Sequence, residues 1–382
     1  MRYPEIVPFP SSFPGFLGNT AVVNNLRASI ATGRLPHSLV IAGARGSGKY
    51  TLALTLTMAL QCEVQPRETT DDGRELASFC SHCRNCTRIR ESADLDARVE
   101  EAIAAREEMR ETDKKDTRIL VQTHPDVLVV PPDPPQLMIK LGQIRTVIHR
   151  AQYLPTEAPA KVFIITASSF MKEAANSLLK LLEEPPPYVN LILLTENPGE
   201  LLPTIRSRCA FARLGALPPE EITDLLATWQ PEWSRPDREL IGRLCEGAAG
   251  RALAFNLPEY TAARADAFAL LAGLERTNDH SALFRVTEAY RSGAEGQVKT
   301  AALLRALASL LEDVLMLQSG APDRVRNIDR RKDLERLAQS LPFEWVESAM
   351  RSVDAAHTGM RRNLLRSLSL DALALQLESA RS

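Results

Sequence analysis

A glycine-rich segment, Gly43–Lys49, follows the short apolar run Ser38–Ala42 and precedes a leucine-rich stretch. A strand, a glycine turn and a helix in this order are typical of a phosphate-binding loop, whose backbone N–H groups surround phosphates while its lysine reaches the terminal ones. In such loops a Ser or Thr follows the lysine and binds Mg²⁺, but this chain has Tyr50 there. Thr51 lies about 100° further round the helix. The candidate nucleotide-binding residues in this segment are Gly43, Gly46, Gly48, Lys49 and Thr51.

The end of another apolar run, Val162–Ile165, bears on whether this loop supports catalysis. In hydrolysing P-loop ATPases one strand ends in acidic residues that hold Mg²⁺ and orient water, whereas here Thr166 and Ala167 follow the run. The glycine segment is therefore either a phosphate cradle without ordinary Mg²⁺ geometry or a packed turn that has lost nucleotide chemistry. In both cases we expect the chain to lack ATPase activity of its own.

Four of the six cysteines are grouped between residues 62 and 86, which predicts a metal site. Cys80, Cys83 and Cys86 have the Cys-x-x-Cys spacing of zinc ligands. The candidate fourth ligand is Cys62, which precedes Cys80 by a 17-residue segment, and the alternative fourth ligand is His82, which lies between two of the cysteines. The alternative is a set of small buried residues, but the intervening residues are polar. We predict a structural Zn²⁺ because the pattern suggests no open coordination position.

An arginine in the sequence Ser207-Arg208-Cys209 comes after the buried-strand pattern Leu191–Leu194. An isolated arginine at such a place is by default a surface charge. Here the chain's own nucleotide loop lacks its catalytic partners, so the arginine is better placed to act on the nucleotide of a neighbouring subunit. The adjacent Glu183 and Glu184 are interpreted as a solvated helix end, because neighbouring helical residues point about 100° apart.

The composition is that of a multidomain globular protein. The chain has 382 residues, 45% hydrophobic and 25% charged, with a formal net charge of −2. It therefore lacks the strongly basic balance of an autonomous nucleic-acid-binding protein. No apolar run approaches a membrane span, and the start lacks a secretory signal, so we expect a cytoplasmic location and no membrane partner. The charged stretch from about 90 to 117 predicts an exposed helical insertion.

The order of these motifs resembles the clamp-loader subunits of bacterial replication, which are AAA+ ATPases. The resemblance covers roughly residues 16–214 and is most specific in the Leu-Leu-Glu-Glu-Pro helix end at 181–185 and in Ser207–Cys209. It implies an α/β fold, in which a parallel P-loop sheet with flanking helices carries an inserted zinc module (about 62–86). A helical lid and an all-α collar follow. The implied domains are 1–214, 215–262 and 263–382.

The same resemblance implies roles for individual residues and partners. Arg208, with Ser207 and Cys209, is the arginine-finger motif, and Arg251 lies where the lid offers a second arginine to nucleotide. The implied partners are gamma/tau-type motor subunits, a delta subunit, the sliding clamp and primer-template DNA. The implied function is a non-hydrolysing stator within a hetero-oligomeric ring. Two alternatives are an active gamma/tau-type motor and a zinc-stabilised scaffold without a catalytic role. Besides Zn²⁺, the candidate ligand is ATP or ADP in the chain's own degenerate site.

Overall fold

The computed structural model describes residues 13, 16–167, 169–273 and 293–361. These residues divide into two compact units. The first contains the described residues up to Glu221 together with Gly247–Ala254, and the second contains Ile222–Glu246 and the described residues from Phe255 onward. The predicted domain boundaries at 214 and 262 differ from these divisions and remain predictions. The proline- and serine-rich sequence of residues 1–15 predicts a poorly ordered arm. Most of that segment and part of the predicted collar domain (263–382) lie outside the described residues.

The first unit is built on a six-stranded sheet with the order β4-β5-β6-β7-β1-β8. Its strands are parallel except for β4, which is antiparallel to β5. A separate antiparallel hairpin is formed by β2 and β3. The strands are β1 (Ser38–Ala42), β2 (Arg67–Thr69), β3 (Glu75–Ala77), β4 (Val121–His124), β5 (Val127–Val130), β6 (Lys161–Ile165), β7 (Val189–Thr195) and β8 (Ala210–Arg213).

Helices cover both faces of the sheet, which explains its uninterrupted apolar strands. Because successive strand residues point to opposite faces, Val162 and Ile164 pack in the core beside α2, whereas Phe163 and Ile165 pack beside α6 and α7. The helices of this unit are α1 (Thr20–Ala31), α2 (Lys49–Gln61), α3 (Arg84–Arg90), α4 (Leu95–Glu107), α5 (Glu111–Asp116), α6 (Leu141–Ala151), α7 (Lys172–Glu183), α8 (Pro203–Arg206) and α11 (Ala249–Leu253).

The described part of the second unit is helical. It contains α9 (Pro219–Trp229, which begins in the first unit), α10 (Arg235–Leu244), α12 (Leu257–Gly273), α13 (Gly293–Gln318), α14 (Arg331–Ser340) and α15 (Phe343–Arg361). One face of α13 lies in the core, since Leu303, Leu307, Leu310 and Val314 are all fully buried. The fold is therefore a mixed, mainly parallel α/β sheet with flanking helices and a helical C-terminal region, as the sequence predicts.

The charged insertion contains α4 and α5, and α4 has no fully buried residue. Leu95 and Val99 of α4 are partly buried against the apolar core of the sheet. In addition, Arg106 Nη1 forms an ion pair with Asp133 Oδ1 at 2.8 Å, and this oxygen also lies 3.3 Å from Lys140 Nζ. None of the described helices has the length and apolarity needed to cross a bilayer.

Candidate functional site

The glycine loop connects the carboxyl end of β1 to the first turn of α2, as in a phosphate-binding loop. Gly46 and Gly48 have φ values of 79° and 86°, in the left-handed region that favours glycine. A Cβ on Gly46 would also come within 2.8 Å of the Arg251 backbone nitrogen. The glycines at these two positions are therefore required by backbone conformation, and one of them also by a close approach.

Lys49 occupies the interior of its own loop. Its ammonium group donates to the carbonyl oxygens of Gly43 at 2.7 Å and Ala44 at 2.8 Å. Burial lowers the pKa of Lys49, and the nearby carboxylate of Glu196 opposes that change. Ser47 adds a buried hydroxyl for which no hydrogen-bond partner is present among the described residues. The loop thus retains a cation and an unused hydroxyl beside each other, which is suitable chemistry for an anion.

The residue at the Mg²⁺ position points elsewhere. The hydroxyl of Tyr50 donates to the carbonyl oxygen of Ser92 at 2.7 Å, and Ser92 is only 1% exposed. Burial, together with the charge of Asp94, raises the pKa of Tyr50 well above its ordinary value, so the phenol stays neutral. Tyr50 therefore connects the start of α2 to the segment after α3. At the end of β6, Thr166 and Ala167 stand where acidic residues would be needed for hydrolysis.

Arg251 is more than two hundred residues from the glycine loop in sequence and beside it in the fold. The backbone N–H of Gly250 donates to the carbonyl of Gly46 at 2.8 Å. The Cβ position of Gly46 lies 2.8 Å from Arg251 Cγ. Gly250 and Arg251 lie in the short helix α11, which belongs to the first unit together with the glycine loop. The two predicted nucleotide-binding segments are therefore in direct contact.

The four clustered cysteines have the arrangement of a tetrahedral metal site. The Sγ atoms of Cys62, Cys80, Cys83 and Cys86 all lie within 4.8 Å of one another. Four thiolates bound tetrahedrally to Zn²⁺ at about 2.3 Å have sulfur–sulfur separations of about 3.8 Å. The donor set therefore fits zinc after small adjustments, with Cys62 as its fourth member. The 17-residue excursion between Cys62 and Cys80 contains the β2–β3 hairpin.

Backbone N–H groups point at the sulfur atoms, as they do around metal-bound thiolates. Those of Gln65 and Cys83 donate to the Sγ atoms of Cys62 and Cys80, each at 3.2 Å. Burial disfavours the thiolate of Cys80, but hydrogen bonds from the backbone of His82 and Cys83 and from neighbouring thiols lower its pKa to about 6. Burial raises the pKa of Cys62 and Cys86. The His82 ring lies 2.6 Å from the Cys80 carbonyl, and the cysteines form the metal-ligating group without it.

A buried polar network attaches the cysteine cluster to the sheet. Asn85 Nδ2 donates to the Gln61 carbonyl at 2.8 Å, and its Oδ1 lies 3.0 Å from Nε2 of His124. Burial lowers the pKa of His124, so its ring is neutral at pH 7. Asp126 accepts the backbone N–H groups of residues 156 to 158 at 2.7–3.1 Å. His124, which ends β4, and Asp126, which precedes β5, therefore have structural roles.

Arg208 lies at the surface just after α8, with its side chain one-third exposed. Its Nε and Nη2 atoms lie 2.9 and 2.6 Å from Oε1 of Glu183. Its Nη1 donates to the Thr204 carbonyl at 2.9 Å and to Ser207 Oγ at 3.1 Å. Cys209 turns inward against the core, and burial raises its pKa to about 11. The three residues of this motif therefore have different environments: Ser207 and Arg208 face solvent and Cys209 is packed.

Glu183 is a residue whose role the sequence did not reveal. Its position next to Glu184 indicated a solvated helix end, but Glu183 forms an ion pair with Arg208. The interpretation was incomplete because the partner arrives from 25 residues further along the chain, beyond the reach of helical spacing. Glu184 remains exposed as expected.

With this geometry established, comparison with known proteins identifies the family. The sequence profile described as "DNA polymerase III, delta subunit" matches residues 18–218, which is more than half of the chain. The profile "DNA polymerase III, delta subunit, C terminal" matches residues 268–379. The chain therefore belongs to the DNA polymerase III delta-subunit family, and the resemblance to clamp-loader subunits is confirmed.

Within that family the chain is similar to delta-prime subunits, the member that Tyr50, Thr166 and Ala167 indicate. It is 28% identical to the DNA polymerase III subunit delta-prime of Bacillus subtilis, covering 87% of this chain and 85% of that protein. It is also 28% identical to the delta-prime subunit of Escherichia coli, covering 89% of both proteins. The tau subunit of Escherichia coli is 26% identical over 81% of this chain, which spans only 44% of tau.

Proposed function

We propose that this chain is a delta-prime-like stator of the bacterial DNA polymerase III clamp loader, which does not hydrolyse ATP and supplies Arg208 to a neighbouring subunit's ATP site. The observation that carries the proposal is the hydrogen bond from Tyr50 to Ser92. This hydrogen bond holds the side chain of Tyr50, the residue at the Mg²⁺ position, in the interior of the protein. Because β6 also ends without acids, the chain's own loop has neither of the usual Mg²⁺ partners.

The proposed partners follow from the relatives, which are named as DNA polymerase III delta-prime, gamma and tau subunits. In this proposal the chain joins gamma/tau-type motor subunits and a delta subunit in a cytoplasmic ring that places the sliding clamp on primer-template DNA. The parts of the chain assigned to these contacts are the predicted lid at 215–262 and the predicted collar at 263–382. The first domain, 1–214, would face the neighbouring nucleotide.

Arg208 is the proposed catalytic residue. A guanidinium group placed against the γ-phosphate stabilises the charge that develops during phosphoryl transfer. Arg208 supports this role because it is exposed, and because its side chain is held by contacts at two sides instead of moving freely in solvent. Ser207 contributes one of those contacts, and Cys209 fixes the backbone by packing inward.

The chain's own loop is proposed to be a degenerate nucleotide site. Lys49 and the unpartnered hydroxyl of Ser47 favour an anion, and Arg251 lies beside the loop. The missing Mg²⁺ ligands disfavour ATP, whose phosphates need a metal ion to balance their charge. ATP or ADP would therefore be held without hydrolysis, with Thr51 as the remaining small hydroxyl in the first turn of α2.

The cysteine cluster is proposed to hold a structural Zn²⁺ that stabilises the module at about 62–86. Four protein ligands leave the metal without an open position, and this is the coordination of structural sites. The bound ion would cross-link the end of α2, the segment that follows β3 and the start of α3. Because one ion would hold all three segments, metal binding and folding of the module would be coupled.

The test is DNA-stimulated ATP turnover by a ring reconstituted with partner subunits, in which this chain carries Arg208→Ala. Arg206→Ala is the matched control, because Arg206 is an exposed arginine that ends the short helix α8, two residues before Arg208. We expect at least a ten-fold loss for Arg208→Ala, less than the roughly 10³–10⁵ measured for arginine fingers in GTPases, and no change for Arg206→Ala. Unchanged turnover with Arg208→Ala would favour the scaffold alternative, and Mg²⁺-dependent hydrolysis by the purified chain would favour the motor alternative.

A further inference from the structure

The environment of Arg208 shows how its guanidinium is held. An arginine side chain has five N–H donors in a planar fork. Four of them have acceptors: Nε and Nη2 each direct one to Glu183, and Nη1 directs one to Thr204 and one to Ser207. Among the described residues, the second N–H of Nη2 has no acceptor. The guanidinium of Arg208 is therefore fixed in position, and one of its N–H donors has no acceptor among the described residues.

The two groups that hold the fork are themselves anchored. Glu183 is the last residue of α7, and the preceding Leu182 is only 4% exposed in the core below. The acceptors from 204 and 207 belong to the short turn around α8, whose Ile205 is fully buried in the same apolar cluster. Since both anchors rest on one core, the distance between Glu183 and α8 is set by packing rather than by the flexible arginine.

We propose that Glu183 is a positioning residue for Arg208. Its carboxylate orients the guanidinium so that the remaining Nη2 donor is presented to the phosphate of a neighbouring subunit. This inference rests on the proposed function, since it requires Arg208 to act in trans. It adds that the finger is positioned before the subunits meet, so that less side-chain freedom is lost when phosphate binds.

Glu183 is distinguished from its neighbour by this contact alone. Glu184 has the same charge, is also exposed, and stands one residue further on. A general effect of negative charge near the finger would involve both residues, whereas positioning involves only Glu183. Glu184→Ala is therefore the matched control for Glu183→Ala.

The experiment measures DNA-stimulated ATP turnover in the reconstituted ring with Glu183→Ala, Glu183→Gln and Glu184→Ala, each with and without Arg208→Ala. We expect Glu183→Ala to lower kcat about ten-fold, below the roughly 100-fold that a 1 Å misplacement produces, with KM for ATP unchanged. Glu183→Gln should lower kcat by less, because the amide oxygen still accepts a hydrogen bond from the Arg208 guanidinium. Glu184→Ala should have no effect.

The double variants show whether a loss of ATP turnover in Glu183→Ala arises through Arg208. If Glu183 acts through Arg208, then Glu183→Ala has no further effect once Arg208 is alanine. An equal loss in both backgrounds would show a merely structural role and overturn the inference. Unchanged or raised turnover with Glu183→Ala, while Arg208→Ala lowers turnover at least about ten-fold, would also overturn the inference and leave the proposed function intact. If Arg208→Ala itself leaves turnover unchanged, the proposed function fails first.

Discussion

Replacing Tyr50 by phenylalanine tests whether the residue at the Mg²⁺ position has been recruited as a structural link. The substitution removes one hydroxyl and keeps the ring. That hydroxyl donates to the carbonyl oxygen of Ser92 at 2.7 Å, and Ser92 is 1% exposed. The change therefore leaves a buried backbone acceptor without this donor.

The size of the effect follows from that unpaired carbonyl. Leaving a buried acceptor unsatisfied costs about 1–3 kcal/mol, and for one neutral bond we expect about 1–2 kcal/mol. For a cooperative unit of about 150–250 residues, the size of the first unit, that corresponds to a fall in Tm of about 2–8 °C. Because its raised pKa keeps Tyr50 neutral, the loss should be the same at pH 6 and pH 8. Tyr153→Phe is the control: its hydroxyl is exposed and lies 3.3 Å from His149 Nε2, so we expect less than about 0.5 kcal/mol.

The measurement has to report on the first unit. All three tryptophans, Trp229, Trp233 and Trp345, lie in the second unit, so tryptophan fluorescence is unsuitable. Calorimetry gives the change in Tm, and hydrogen exchange of the amides in α2 shows whether the loss is local to the loop. Equal shifts for Tyr50→Phe and Tyr153→Phe would refute the structural role of Tyr50.

Two further predictions concern the cysteines. The purified chain should contain one Zn²⁺ by elemental analysis; Cys83→Ser should lose the metal and lower the stability of the module, whereas Cys209→Ser should retain it. A metal-free preparation of folded protein would contradict the four-cysteine site. Cys209, with its pKa raised from 9.0 to about 11, should be alkylated at pH 8 about 100-fold more slowly than a thiol of ordinary pKa, because the thiolate is the nucleophile. Its raised pKa stabilises the fold below pH 9, a contribution lost as the pH rises through about 11. Rapid labelling at pH 8 would contradict its burial.

The strands of the sheet were predictable because they are buried on both faces. An uninterrupted apolar run such as β6 can only be a covered strand or a buried helix segment, and its short length favours the strand. The glycine loop was predictable for a different reason: its left-handed backbone positions admit few residues other than glycine. The cysteine cluster followed from ligand spacing alone.

Other elements carry no such signal. The strand β2 (Arg67–Thr69) is fully exposed and polar, and β8 at the sheet edge buries only Ala212, so neither has an apolar pattern to detect. Contacts between segments that are distant in sequence could also not be predicted from the sequence. The pairing of Glu183 with Arg208 and the approach of Arg251 to Gly46 join segments far apart in the chain.

The central claim is that Arg208 of this chain promotes ATP hydrolysis in the active site of another subunit. The direct test is the rate of DNA-stimulated ATP hydrolysis by an intact reconstituted ring that carries Arg208→Ala. The account predicts a loss of at least about ten-fold, within the range set by other arginine fingers, with ring assembly unchanged and with Arg206→Ala at the wild-type rate. A ring that assembles and hydrolyses ATP at the wild-type rate without the Arg208 guanidinium would contradict it.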